Sequence, residues 1–139
     1  MPSILLIDDD EILVKTLAII LERAGHTVLT ALDGEAGLAR AFAGHPDLIL
    51  LDIMMPGMDG LQVCKLLRRD ARTRDTPVLV FTALNEVDLC MRAGLQTRSA
   101  RCDGELENTI LADDYLTKPV VVEELLRRVN TLLWISSVI

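Results

Sequence analysis

A chain of 139 residues that is 50% hydrophobic has material for one core and little for a second. Its formal charge is −7 and its basic residues are dispersed, apart from Arg68/Arg69 and Arg127/Arg128 on predicted helices, which argues against direct nucleic-acid binding. Cys64, Cys90 and Cys102 are an odd set without C-x-x-C or zinc spacing, no apolar run spans a membrane, and Met1 leads into a strand-like run and then acids rather than a signal peptide. A reducing, cytoplasmic setting is expected, with no membrane partner.

Ile4 to Ile7 is a short apolar run that breaks into Asp8, Asp9, Asp10 and Glu11, the pattern of a buried strand ending in acids. Leu13, Leu17, Ile20, Leu21 and Ala24 follow at helical spacing, with Gly25 placed to cap the helix. His26 to Ala31 reads as a second strand, and Asp33 caps a helix carrying Ala36, Ala39 and Phe42 that Gly44 and Pro46 stop. Leu48 to Leu51 is a four-residue apolar run, read as a strand buried on both faces, with Asp52 at its carboxyl end. Pro56, Gly57 and Gly60 make the next segment a loop. Asp59 caps a helix from about Leu61 to Arg69 with Leu61, Cys64 and Leu67 inward.

Pro77 opens a fourth strand, Val78 to Phe81, ending at Thr82, and a helix is predicted from Glu86 to about Leu95. Tyr115 and Leu116 give a short fifth strand before Lys118 and Pro119. Leu125, Leu126, Val129, Leu132 and Leu133 line one face of a last helix. Alternating strands and helices predict an α/β fold, a five-stranded parallel doubly wound sheet covered on both sides. Gln96 to Asp113 has no clear period and exceeds the usual connection, so it reads as an insertion, an extra helical turn or a mobile loop.

Asp8/Asp9, Asp52, Thr82 and Lys118 each stand at a strand end, so the predicted sheet gathers them on one edge, where open α/β sheets bind ligands. Singly, each has an ordinary role: macrodipole partner, turn former, strand residue, solvated lysine. Together they do not, because two carboxylates about 4 Å apart repel by roughly 4 kcal/mol at an effective dielectric near 20. Hard oxygen ligands without a nearby His or Cys point to Mg²⁺. Asp52 then becomes a nucleophile towards phosphorus, with Lys118 and the Thr82 hydroxyl taking phosphoryl oxygens.

Through ILLIDDDE, LILLDIMMPGMDG, PVLVFTA and DDYLTKP, nearly the whole chain resembles a response-regulator receiver domain of two-component signalling, a CheY-like, flavodoxin-like sandwich. The resemblance implies Asp52 as phosphoacceptor, Asp9 and Asp52 binding Mg²⁺ directly with the Met54 carbonyl, and Asp8 acting through water. It implies Thr82 and Tyr115 as a switch pair, Lys118 as the phosphoryl contact, and a cis bond before Pro119. The expected function is phosphorelay signal transduction. A sensor histidine kinase or phosphotransfer protein supplies the phosphoryl group, and affinity for an unknown downstream effector changes. Mg²⁺-dependent autophosphorylation and autodephosphorylation would be its only catalysis, so it is not expected to be a metabolic enzyme.

Three other readings compete with this one. A non-switching receiver-like interaction module keeps the fold without the chemistry. An aspartate-based phosphatase wants a second Asp where Met54 stands, and nucleotide-binding folds want a P-loop or G-x-G-x-x-G. The chain departs from the family in having 35 residues between Thr82 and Lys118, an atypical insertion around 97–111 in a single domain over 1–139. Val120 replaces a common aromatic, and the helix after it has no Ser, Thr or Asp cap. Trp134, Ile135, Val138 and Ile139 could pack on the domain, meet a partner or start a linker, and a homodimer stays open.

Overall fold

The computed structural model describes residues 1–83, 95–97 and 110–138. Three apolar runs decide its centre: β1 (Ser3–Ile7), β3 (Leu48–Asp52) and β4 (Val78–Ala83). Ile4 to Ile7, Leu48 to Leu51 and Val78 to Phe81 are all buried. A strand covered on both faces has no use for alternation, so these segments read as continuous hydrophobic runs. β2 (Thr27–Ala31) flanks β1, and β7 (Asp114–Lys118) flanks β4, giving a parallel sheet of order β2-β1-β3-β4-β7. This is the expected five-stranded doubly wound architecture.

Successive residues of the central strands serve opposite layers. Leu5, Ile7, Ile49, Leu51, Val78 and Val80 pack with Leu38 and Ala41 of α2 (Gly34–Gly44) and with Val63, Cys64 and Leu67 of α3 (Gly60–Arg69). Ile4, Leu6, Leu48, Leu50, Leu79 and Phe81 pack with Leu17 and Leu21 of α1 (Glu11–Arg23) and with Leu125, Val129 and Leu132 of α4 (Val122–Val138). On α3 the inward set differs by one residue from the sequence reading: Val63 is buried and Leu61 only partly.

The helix starts are set by carboxylates. Asp10 Oδ1 accepts from the amides of Ile12 and Leu13, Asp33 Oδ1 from Ala36, and Asp59 forms a capping box with Gln62. At α4 no such acceptor was expected; the first helical bond runs from Leu125 N to Val121 O, with Glu123 and Glu124 in the first turn complementing the dipole.

The helix predicted from Glu86 to Leu95 falls almost entirely outside the described residues, as does most of the insertion around 97–111. Its two described edges, β5 (Leu95–Thr97) and β6 (Ile110–Ala112), pair in parallel as a separate two-stranded ladder. After β6 the chain is tied down at once. The Asp113 amide donates to Val78 O, and Asp113 Oδ2 accepts from Val78 N and from Arg68, each at 2.7 Å. Arg68 also donates to the carbonyls of Thr76 and Arg74. At the other terminus Trp134, Ile135 and Val138 are exposed, so the option that they pack on the domain is not taken.

Candidate functional site

β1 and β3 are neighbours in the sheet, so the residues at their carboxyl ends meet. Asp8, just past β1, and Asp52, the last residue of β3, are buried, whereas Asp9 is exposed. Each of the three offers a carboxylate oxygen within 4.8 Å of the others. β4 brings the buried Thr82 to the same edge, and its pairing with β7 places Lys118 beside Ala83, one residue on. Lys118 Nζ lies 3.2 Å from Asp52 Oδ1 and 3.4 Å from Asp8 Oδ2. All four sequence-predicted strand-end positions therefore converge.

The electrostatics follow from burial. Desolvation, then the nearby Asp8 charge, pushes the Asp52 carboxyl up to about 7, and Lys118 only partly counters this. Asp8 is raised as well, chiefly by burial, against the pull of the Asp10 amide. Burial lowers Lys118, but Asp52 and Asp8 outweigh it, and the ammonium is held above its ordinary value. Among the described residues three carboxylates face one ammonium, and that imbalance of hard oxygen donors fits a divalent cation of the Mg²⁺ class.

Two features of the site were not read from the sequence. Gly60, taken as a loop residue, is the first residue of α3 and lies against the backbone of Asp52. A Cβ there would collide with the Asp52 carbonyl oxygen and stand 2.7 Å from Ile53 Cα. Its amide donates to Ile53 O at 2.8 Å, so α3 is seated directly under the acid. Phe81 is the other: Lys118 Nζ lies 5.2 Å from its ring centroid. Only the order Asp59-Gly60 before an apolar helix hinted at the former.

Tyr115 lies on β7 opposite Val80, half-buried against the core layer that α2 and α3 cover, and the Lys118–Pro119 bond is cis as expected. Met54 is exposed at the mouth of the loop after Asp52. Among the described residues no helix is long and apolar enough to cross a membrane.

Residues 4–98 match the model of the response regulator receiver domain. The chain belongs to this family. As a receiver domain it resembles the DNA-binding dual master transcriptional regulator RpaA of Synechocystis, with 47% identity over 96% of this chain and 49% of that protein. It is 37% identical to the protein PilH of Pseudomonas aeruginosa over 96% of this chain and 98% of PilH. Among solved structures, a putative response regulator from Chloroflexus aurantiacus superposes with a TM-score of 0.77 at 30% identity, covering 95% of this chain and 97% of that one. The chain spans about half the length of several curated relatives, RpaA and the PhoP regulator of Bacillus subtilis included. A receiver domain is a component of two-component signalling, not a conventional enzyme.

Proposed function

We propose that this receiver takes a phosphoryl group onto Asp52 and thereby switches a partner-binding face. The observation that carries the reading is the meeting of buried Asp8 and Asp52 with Lys118 at one sheet edge. The donor is a phosphohistidine of a sensor histidine kinase or phosphotransfer protein, which places the domain in the cytoplasm. An Asp52 carboxylate oxygen attacks phosphorus, an O–P bond forms as the donor's P–N bond breaks, and the electron pair stays on the imidazole.

Asp9, Asp52 and the Met54 carbonyl would hold Mg²⁺ directly, and Asp8 through water. When bound, the ion supplies positive charge to the phosphoryl oxygens and to the crowded acids. The Lys118 ammonium moves from Asp52 Oδ1 to a phosphoryl oxygen, which it neutralises, and the Thr82 hydroxyl donates to another. Thr82 is drawn towards the acid, and the Tyr115 ring turns into the space that it leaves. That movement repacks the face formed by β7 and α4. A non-switching interaction module is not favoured, since mutual repulsion among buried acids serves binding at a distant face in no way.

Intact-mass spectrometry after incubation with acetyl phosphate tests the reading. A gain of one phosphoryl group that requires Mg²⁺ and vanishes in Asp52→Asn is the expected result. Undiminished labelling of Asp52→Asn would remove Asp52 from its role.

A further inference from the structure

Asp52 and Lys118 do not stand on neighbouring strands: Asp52 ends β3, Lys118 ends β7, and β4 runs between them. Strands lie about 4.8 Å apart, so the Lys118 backbone is roughly 10 Å to the side of β3. Its ammonium nevertheless reaches to 3.2 Å from Asp52 Oδ1. The lysine stem therefore crosses β4. Asp52 pairs with Phe81 and Lys118 with Ala83, and alternation puts the side chains of Asp52, Phe81 and Lys118 on one side of the sheet, that of Leu50, Leu79 and Leu116.

The residue that Lys118 crosses is thus Phe81, and Nζ overlies its ring at 5.2 Å from the centroid. Phe81 is fully buried and, among the described residues, is the sole aromatic of the buried hydrophobic core, whose other members are aliphatic, Met or Cys. An aliphatic side chain at this position would fill the layer but offer an ammonium nothing. A ring face carries negative charge density and attracts it. The Lys118 side chain is 28% exposed, against 1% for Asp8 and 3% for Asp52, so the lysine is the member of the cluster that water can draw away.

We infer that Phe81 is a positioning residue for Lys118, its ring holding the ammonium over the acid cluster while the ammonium changes partner from Asp52 to a phosphoryl oxygen. This role rests on phosphoryl transfer to Asp52 as proposed above. The ion pair with one carboxylate oxygen is lost in that exchange, whereas attraction to a ring face persists through small sideways displacements of the cation. A long, rotatable side chain is thereby confined to positions within reach of the phosphoryl group.

The test removes the charge of the ring face while keeping its shape. Phenylalanine analogues with one, two and three ring fluorines, placed at position 81 of the full chain, draw electron density from the face and add little volume. Two quantities are measured: the rate of Mg²⁺-dependent phosphoryl uptake from acetyl phosphate, by intact mass, and the mobility of the Lys118 ε-methylene in the unphosphorylated chain, by carbon relaxation. Uptake should slow in steps with fluorine number, reaching about fivefold at three fluorines and in Phe81→Leu, and methylene mobility should rise in the same order. The same analogues at Phe42, the only other phenylalanine, should leave both at parent values. A flat response across the position-81 series in either quantity would overturn the inference, even with Phe81→Leu impaired, because the ring would then act by volume alone. A parent chain that takes up no phosphoryl group, with Lys118 still loosening as fluorines are added, would instead sink the role of Asp52 and leave the ring's hold on Lys118 standing.

Discussion

Asp52 carries an electrostatic cost that a single substitution exposes. Its carboxyl is raised from 3.8 to about 7 in the folded chain, so the fold favours the neutral form. Ionisation therefore destabilises the fold, fully above pH 7, less as pH falls through 7, and not at all below 3.8. With a chelator present, Asp52→Asn should melt roughly 3–8 °C above the parent at pH 8, and the gap should shrink progressively toward pH 4. A gap that stays constant with pH in thermal melts would show that Asp52 titrates normally. Gly60 makes the opposite demand. Its missing side chain admits the Asp52 carbonyl, so Gly60→Ala should cost about 2–3 kcal/mol in denaturant unfolding and lower acetyl-phosphate uptake together. Gly57, with φ +78° and open space around it, offers the contrast: Gly57→Asn should cost under about 1 kcal/mol.

At the scale of elements, Arg68 and Asp113 couple α3 to the junction of β6 and β7 and to the first residue of β4. Both are largely buried, and Asp113 also accepts the Val78 amide. Removing one partner strands the other, so Arg68→Ala should destabilise the fold by about 3 kcal/mol. The pair sits at the opposite end of the sheet from Asp52. Where Arg68→Ala remains folded, its uptake of phosphoryl groups should therefore stay within about twofold of the parent, as intact mass would report. Elements of this kind divide sharply in how readable they were. The runs Ile4–Ile7, Leu48–Leu51 and Val78–Phe81 announced themselves because burial on both faces leaves no polar residue among them. Asp33 and Asp59 were legible as caps because the chemistry is local. β5 and β6 were not, since three residues have no period and their pairing spans a long gap in sequence. The collision that fixes Gly60 was equally hidden: an absent atom has meaning only against the neighbour it admits, and that neighbour is set by tertiary packing.

For the whole molecule, the crowding of Asp8, Asp9 and Asp52 links stability to a cation. A ligand that binds only the folded state stabilises it by about 2.7 kcal/mol at one hundred times its dissociation constant. Millimolar Mg²⁺ should thus raise the melting temperature of the parent, and the same addition should do much less for a chain carrying Asp9→Asn, whose exposed side chain makes that substitution safe for folding. Equal shifts in both, followed by differential scanning calorimetry, would move the binding away from this edge. Convergence of strand ends made the site legible at this scale: Thr82 and Lys118 are unremarkable as letters, and become a constellation only once the sheet order places them beside the acids.

The contact between Lys118 and Asp8 joins residues 110 apart in sequence. The acids at the centre of the sheet are in place once β1 and β3 have paired, but their counter-charge arrives on the strand laid down last at the edge. During synthesis, then, a nascent chain carries both carboxylates long before it owns the ammonium that balances them. On the role proposed for Lys118, phosphoryl acceptance would wait until β7 has left the ribosome and docked, and a truncated or half-made chain would be silent.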